Sequence, residues 1–145
     1  MTPEPLFEVG ERLTDHVITP SSIQVVMYAA AMWEYQRIHF DQAWAEREGL
    51  PGPIVHGPLL GNYLVKSVQR WCGKHADLVE LEWRNRGITP IGETLTSGGV
   101  VTGVSRDDPG LVTCDVWIEN VGGESIVTGT VSLRRTAPSF EHGSA

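Results

Sequence analysis

The side chains best suited to acid–base chemistry lie close together in the first third of the chain. Glu34, Gln36 and His39 fall within the stretch WEYQRIHFDQAWA at residues 33–45, so a carboxylate, an amide and an imidazole share six residues. Carboxylates and imidazoles are the common general acids and bases of enzymes. At this point two interpretations are open. The stretch is either a polar loop, in which Glu34 caps a helix or pairs with Arg37, or part of an active site.

A second motif, LPGPIVHGPLL at residues 50–60, opens what must be a long helix. Pro58 suits the first helical position because it has no N–H to leave unpaired. Apolar and small residues then recur every three or four positions until Gly73: Leu59, Leu60, Tyr63, Leu64, Ser67, Val68 and Trp71. This spacing predicts a helix that is buried over a wide face. His56 is expected to hold the loop before it through a side-chain hydrogen bond.

Two shorter helices are predicted upstream. Thr19 and Pro20 fit an N-cap and a first helical residue, and apolar residues follow at helical spacing up to a helix end near Trp33: Ile23, Val26, Met27, Ala30 and Ala31. Asp41 can cap a helix through QAWAERE, which Gly49 would end in a left-handed conformation.

The second half of the chain alternates apolar and polar residues in four segments, which begin near residues 79, 93, 112 and 125. The turns RDDPG and NVGGE supply the Gly, Pro and Asp that tight reversals need. We therefore predict an α+β fold in which a curled antiparallel sheet, a meander, wraps the long helix. Residues 1–136 should form one domain, and residues 137–145 a disordered tail.

Composition narrows the classes of function. The 145 residues carry 18 acidic and 11 basic side chains, a net charge of −7, which disfavours a nucleic-acid surface. Cys72 and Cys114 have no metal-ligand spacing, so we expect reduced core thiols and no metal site. No stretch predicts a membrane span or an export signal, and a cytoplasmic protein is expected.

The segment RIHFDQAWAEREGLPGPIVHGPLL closely resembles the MaoC-like hydratases and dehydratases, which are hot-dog folds acting on acyl thioesters. The resemblance covers about residues 5–136 and rests on a His-x-Asp element joined to IVHG at this separation. It implies reversible hydration of a trans-2-enoyl thioester, usually of coenzyme A, to an (R)-3-hydroxyacyl thioester. The thioester is then substrate, and no cofactor is implied.

The resemblance also assigns roles to residues. His39 matches the catalytic histidine, Glu34 the carboxylate that shares the water with it, and Gly57 the backbone N–H that receives the thioester oxygen. Gln36 and Asn62 are expected to position the substrate. The chain departs from the commoner family pattern, which has Asp and Asn where this chain has Glu34 and Gln36.

Binding of coenzyme A by an acidic chain requires a local basic patch. Two pairs of arginines on predicted strands are the favoured candidates for its phosphates: Arg84 with Arg86, and Arg134 with Arg135.

Oligomers and two other functions are also considered. An open sheet edge favours a homodimer or higher oligomer. A heteromer with a second MaoC-like subunit is also considered, in which this chain is a non-catalytic or partly catalytic partner acting, for example, on steroid or other bulky acyl-CoA. A carrier-protein thioester is an alternative substrate. A hot-dog thioesterase is disfavoured, because residues 58–72 contain no carboxylate.

Overall fold

A computed structural model describes residues 5–136. The helices are α1 (Ser22–Met32), α2 (Gln42–Arg47) and α3 (Gly57–Cys72), with 3-10 turns at Arg37–His39 and Gly73–His75. The strands are β1 (His16–Ile18), β2 (Ala76–Asn85), β3 (Leu95–Val104), β4 (Leu111–Asn120) and β5 (Ser125–Arg135). The predicted tail, residues 137–145, lies outside the described residues.

The sheet is antiparallel, with the strand order β1-β3-β4-β5-β2. Strands β3, β4 and β5 form the expected meander. The prediction was wrong at the two edges: β2 pairs with β5 rather than with β3, and the short strand β1, which was not predicted, covers the other side of β3. The adjacent glycines Gly98 and Gly99, and a bulge between Val101 and Gly103, help β3 to curl.

Helix α3 lies against this sheet, and its predicted buried face is confirmed. All seven residues of the apolar pattern are buried: Leu59, Leu60, Tyr63, Leu64, Ser67, Val68 and Trp71. They pack into one core with the inward residues of the strands, among them Leu95, Ile118 and Val131. A long helix wrapped by a curled antiparallel sheet is the hot-dog arrangement, as predicted.

Helix α1 begins two residues later than predicted. Ser21 is the N-cap, since its hydroxyl accepts from the Gln24 N–H while the Gln24 side chain accepts from the Ser21 N–H. The buried residues are Val25 and Ala29, whereas Ile23, Val26 and Met27 are exposed. The apolar spacing identified the helix but did not identify its buried side, because α1 is apolar over most of its circumference.

Helix α2 agrees with its prediction. The Asp41 carboxylate accepts from the Trp44 N–H at 3.0 Å, and Gly49 takes a left-handed φ of 81° after the last turn. Cys72 and Cys114 are free and buried, as expected, and burial raises the pKa of Cys114 to about 12. Within residues 5–136, no helix combines the length and hydropathy required to cross a bilayer.

Candidate active site

A cleft of about 450 Å³ opens at the N-terminal end of α3. Four of the predicted site residues line it: Glu34, Gln36, His39 and Gly57. Tyr28, His56 and Asn85 also line it, together with an apolar wall that includes Met32, Ile54, Leu60 and Ile88. The tertiary structure therefore brings the two sequence motifs, which begin 17 residues apart at residues 33 and 50, to one cavity.

The backbone at Trp33 directs Glu34 toward the cleft. Trp33 ends α1 in the left-handed conformation, with φ 57° and ψ 36°, and both its N–H and the Glu34 N–H donate to the Ala29 carbonyl. A left-handed conformation is uncommon for a residue other than glycine. Trp33 is 82% exposed, so its conformation is not imposed by a buried side chain. This sharp reversal places Glu34 at the start of the segment that lines the cleft.

The Glu34 carboxylate has no hydrogen bond or ion pair with the rest of residues 5–136. Arg37, the partner considered from sequence, instead pairs with Asp41 at 2.6 Å and lies over the Trp44 ring at 4.3 Å from its centroid. Nearby groups respond to the negative charge: the pKa of Tyr28 is raised, mainly by burial and then by Glu34. A half-buried carboxylate without a protein partner is available to a ligand or to water.

His39 is held with one ring nitrogen fixed. Its Nδ1 lies 2.8 Å from the Ile54 carbonyl oxygen, and because a carbonyl can only accept, Nδ1 carries the proton. In the neutral ring Nε2 is then an acceptor, and it has no partner among the described residues. This is the tautomer that a general base needs, since the lone pair is on the nitrogen that is not used for positioning.

His56 differs from its prediction. Its ring is 1% exposed and neither ring nitrogen makes a hydrogen bond, so it does not hold the loop in the way expected. The ring stacks on His39 with centroids 3.6 Å apart, and it lies 5.0 Å from the Tyr28 ring. Burial, and then the neighbouring His39, lower the pKa of His56, while the backbone carbonyl and the carboxylate of Glu34 partly offset this. A neutral His56 follows, stacked face to face on the candidate base.

The N-terminal end of α3 completes the site. His56 is the N-cap and provides no side-chain cap, while the N–H groups of Leu59 and Leu60 both donate to the His56 carbonyl. The Gly57 N–H makes no backbone hydrogen bond within residues 5–136. A Cβ on Gly57 would lie 2.2 Å from Asn85 Nδ2, so any larger residue here requires the Asn85 amide to move. An unpaired N–H at the positive end of a helix is suited to an anionic oxygen.

Other predicted site residues lie elsewhere. Asn62 is exposed and is not part of the cleft lining. Arg84 and Arg86 are exposed on either side of Asn85, and Arg86 donates to Thr128 Oγ1 at 3.0 Å. Arg134 pairs with Asp108, and Arg135 lies over the Phe7 ring.

The two arginine pairs therefore lie at opposite ends of the sheet. Arg135 is opposite Ala76, at the end of β2 remote from Asn85, which corresponds to roughly 30 Å of strand. Only the pair formed by Arg84 and Arg86 lies near the cleft.

Sequence reasoning missed Tyr28 and Asn85. Tyr28 falls on the helical pattern of α1 like any core residue, and the position of Asn85 depends on the packing of β2 on α3. No group of three metal-ligating side chains is found within residues 5–136.

The sequence profile of the hydroxyacyl-thioester dehydratase type 2 family matches residues 6–91, which include every residue of the cleft. The chain belongs to this family. It is therefore a member of the MaoC-like hydratases and dehydratases, as the sequence motifs indicated. No curated protein matches the sequence significantly.

Solved structures agree with this fold. The (R)-hydratase from A. caviae involved in PHA biosynthesis is 24% identical, with a TM-score of 0.81 over 88% of this chain and 96% of that one. The ChsH1–ChsH2 complex from Mycobacterium tuberculosis contains a chain that is 26% identical, with a TM-score of 0.79 over 89% of this chain and 98% of that one. A MaoC-like dehydratase from Rhodospirillum rubrum is 18% identical, with a TM-score of 0.73 over 90% and 94%.

Proposed function

We propose that this chain catalyses the reversible hydration of a trans-2-enoyl thioester to an (R)-3-hydroxyacyl thioester. One observation carries the proposal: a single cleft holds the Glu34 carboxylate, the Nε2 lone pair of His39 and the free Gly57 N–H, none of them used by the protein itself. A base, a second proton-carrying group and a donor for the enolate oxygen are what this addition requires.

In the hydration direction, Glu34 and His39 Nε2 hold one water molecule between them. One of these groups takes a proton from the water as its oxygen forms a bond to C3 of the enoyl group. The electron pair of the C2–C3 double bond moves to the thioester carbonyl, giving an enolate. The proton is then delivered to C2, so that water has added across the double bond and both groups recover their starting states. Dehydration is the reverse of these steps.

The Gly57 N–H stabilises the enolate oxygen. The negative charge on that oxygen develops only during the reaction, so a donor that is already aligned lowers the barrier rather than merely tightening substrate binding. The partial positive charge at the start of α3 acts in the same direction. Pro58 has no N–H and offers no competing donor. Gln36, which lines the same cleft, is proposed to position the thioester.

Coenzyme A is the proposed carrier of the acyl group. Arg84 and Arg86 are the basic side chains proposed to meet its phosphates, because they flank Asn85 at the cleft end of β2. Arg134 and Arg135 are less suited to that role, since they lie at the other end of the sheet. A thioesterase activity has less support, because α3 carries no carboxylate.

A second candidate function is that of a partner subunit. It is favoured by the likeness to a chain of the ChsH1–ChsH2 complex, which contains two different proteins. The exposed edges of β1 and β2 and the exposed apolar residues of α1 are surfaces on which either a second copy or a related subunit could pack. In this case the chain alone would be inactive, and activity would appear on adding the second subunit.

The test is a spectrophotometric assay of enoyl-CoA hydration, followed by the loss of absorbance of the conjugated thioester. The purified chain is assayed alone and together with any subunit that co-purifies with it. Turnover by the chain alone, abolished in His39→Ala, supports the main proposal. Turnover that requires the second subunit and survives His39→Ala supports the partner role. Hydration by the chain alone that falls less than about threefold in His39→Ala would rule out the assigned site.

A further inference from the structure

Strand β2 lies along α3, and two pairs of residues make consecutive contacts between them. Asn85 lies over Gly57, and Trp83 lies over Gly61. Residues four apart on a helix share a face, and residues two apart on a strand point to the same side. The second contact is therefore the continuation of the first, one helical turn further along α3, about 5–6 Å.

Both contacts leave no room for a side chain on the helix. A Cβ on Gly57 would lie 2.2 Å from Asn85 Nδ2, and a Cβ on Gly61 would lie 2.5 Å from Trp83 Cε2. The indole of Trp83 thus rests directly on the backbone of α3. The indole atoms nearest to a Cβ at Gly61 are Cε2, Cζ2 and Nε1, so the ring side that carries the nitrogen meets the helix at this level.

Only the first of the two contacts opens into the cleft. The cleft lining includes Gly57, Pro58 and Leu60 from the first turn of α3 and Asn85 from β2, but neither Gly61 nor Trp83. Beyond the indole, the seam between α3 and β2 is apolar, since Leu64 is fully buried and Leu81 packs against the core. Trp83 therefore lies between the contact that opens into the cleft and these packed apolar residues.

We propose that Trp83 sets the depth of the acyl pocket and restricts this chain to enoyl thioesters with short acyl groups. The inference rests on the proposed hydration. When the thioester oxygen is bound by the Gly57 N–H, an acyl chain that extends from the cleft along α3 and β2, away from water, meets the Trp83 indole within about one turn of helix. Long chains and fused rings do not fit behind it, so the bulky acyl groups considered from the sequence are disfavoured.

The size of the effect follows from the hydrophobic transfer energy. Burying one methylene group contributes about 0.8 kcal/mol, or roughly fourfold in affinity. A variant that opens the seam to several methylene groups should therefore gain more than tenfold in affinity for a long acyl chain and nothing for a short one.

The experiment compares Trp83→Ala with the wild type, using the full chain in its purified oligomeric form. Hydration of crotonyl-CoA and of dodecenoyl-CoA is measured, and the ratio of their kcat/KM values is the readout. We expect the wild type to prefer crotonyl-CoA by at least about tenfold. Trp83→Ala should shift the ratio toward dodecenoyl-CoA by at least about tenfold.

Trp117→Ala is the matched control. Trp117 points to the outer side of the sheet, where Arg12 lies over its ring, and it is not part of the cleft lining. The same loss of an indole there should leave the ratio of kcat/KM values unchanged. A shift of equal size in Trp117→Ala would assign the effect to the stability of the sheet and overturn the inference.

Trp83→Leu is a second, milder variant at the same position. If Trp83→Ala does not fold, Trp83→Leu retains apolar packing on Gly61 while removing the ring, and a smaller shift in the same direction is expected.

Binding of butyryl-CoA and dodecanoyl-CoA, followed by calorimetry, separates this inference from the proposed reaction. If no enoyl thioester is hydrated, the proposed function fails. A gain in dodecanoyl-CoA affinity of more than about tenfold in the Trp83 variant would still support the pocket. An unchanged chain-length preference in a folded Trp83 variant, or a wild type that accepts dodecenoyl-CoA as well as crotonyl-CoA, would overturn it.

Discussion

Two clusters of polar side chains contact α3. In the first, every side chain is hydrogen-bonded within the protein, whereas in the second most side chains are not. The first, which we call the serine cluster, consists of His16, Ser67, Arg70 and Ser97. Arg70 donates to His16 Nε2 at 2.7 Å, which leaves the proton on Nδ1 to face Ser67 Oγ at 3.3 Å. Ser67 donates to the Tyr63 carbonyl at 2.8 Å, and Ser97 Oγ lies 2.6 Å from Ser67 Oγ. Every side chain of this cluster has a protein partner.

The second cluster surrounds the cleft and consists of Glu34, Gln36, His39, His56 and Asn85. Apart from His39 Nδ1, which donates to the Ile54 carbonyl, its side-chain polar groups have no partner within residues 5–136. Glu34, Gln36 and Asn85 make no side-chain hydrogen bond within residues 5–136, and both nitrogens of the buried His56 are unpaired. Burying an unpaired polar group costs free energy, so the two unpaired nitrogens of His56, which is 1% exposed, call for a ligand or water, whereas Gln36 and Asn85 are exposed and can bond to water. The polar groups of the serine cluster hold β1 on α3, whereas those around the cleft are available to a ligand.

The largest effect is expected from the two groups that would hold the water. His39→Ala and Glu34→Gln should each lower kcat by at least about a hundredfold, the usual contribution of general acid–base catalysis, while the thermal midpoint changes little. The double variant should lose little more than the worse single variant, because residues that act as a unit are not additive. Steady-state kinetics and thermal unfolding on the same preparations check both statements.

Glu34→Asp shortens the carboxylate by one methylene group and restores the residue that is commoner in the family. If the backbone reversal at Trp33 is set for the longer side chain, activity should fall, since a displacement of about 1 Å can cost on the order of a hundredfold. Activity equal to that of the wild type would show that the backbone is not set for the longer side chain, and would leave the role of the carboxylate unchanged.

The next effect tests the opening of α3. In Gly57→Ala the new methyl group would meet Asn85 Nδ2, so the amide must move and the N–H proposed to receive the thioester oxygen becomes crowded. We expect kcat/KM to fall by about tenfold, less than the roughly 10²–10³-fold cost of removing an oxyanion donor, because alanine keeps the N–H. Gly103→Ala is the control, because a Cβ there would meet nothing within 4 Å. Equal kinetics for the two variants would argue against an oxyanion site at Gly57.

The serine cluster should respond in stability rather than in activity. Ser67→Ala removes the acceptor of the His16 Nδ1–H and a partner of Ser97, so the free energy of unfolding should fall by about 1–2 kcal/mol. The value of kcat/KM at 25 °C should stay within about twofold. Thr102→Ala, an exposed hydroxyl bonded to the Thr113 carbonyl, should cost less than about 0.5 kcal/mol in the same urea titration. A loss of activity in Ser67→Ala without a loss of stability would break the distinction between the clusters.

The smallest effect is the pH dependence of stability, to which one histidine of each cluster contributes. The pKa of His16 is lowered mainly by burial, and to a smaller extent by the positive charges of Arg70 and Lys66. The pKa of His56 is lowered mainly by burial, and to a smaller extent by the neighbouring His39. Besides His39, the titratable groups that face His56 are Tyr28 and Glu34. Because each pKa is below its unfolded value of about 6.5, the unfolded chain binds more protons just below that pH. The free energy of unfolding should therefore decrease as the pH falls below about 6.5 and be independent of these groups above it.

Urea titrations from pH 8 to pH 5 measure this slope. His16→Asn and His56→Asn should each flatten it, even though only His56 lies in the cleft. A slope that is unchanged in both variants would contradict the lowered pKa values.

Much of the fold could be predicted because local physics decides it. The Asp41 cap, the Gly49 termination and the apolar face of α3 follow from a few neighbouring residues, and each was confirmed. The errors fall where a choice depends on distant partners. Strand β1 has only three residues and exists because β3 pairs with it, and β2 pairs with β5, three strands further along the chain, rather than with β3, which follows it directly.

The candidate site divides in the same way. The sequence by itself determined that Glu34, Gln36, His39 and Gly57 belong together, because residue type and spacing within one segment identified the family. Only the tertiary structure decided that His56 stacks on His39, that Asn85 lies over Gly57 and that Trp83 lies over Gly61. These contacts join α3 to groups on other elements, and their geometry depends on the register of β2 against the helix. No local pattern in the chain encodes that register, since it is set by how the whole sheet curls around α3.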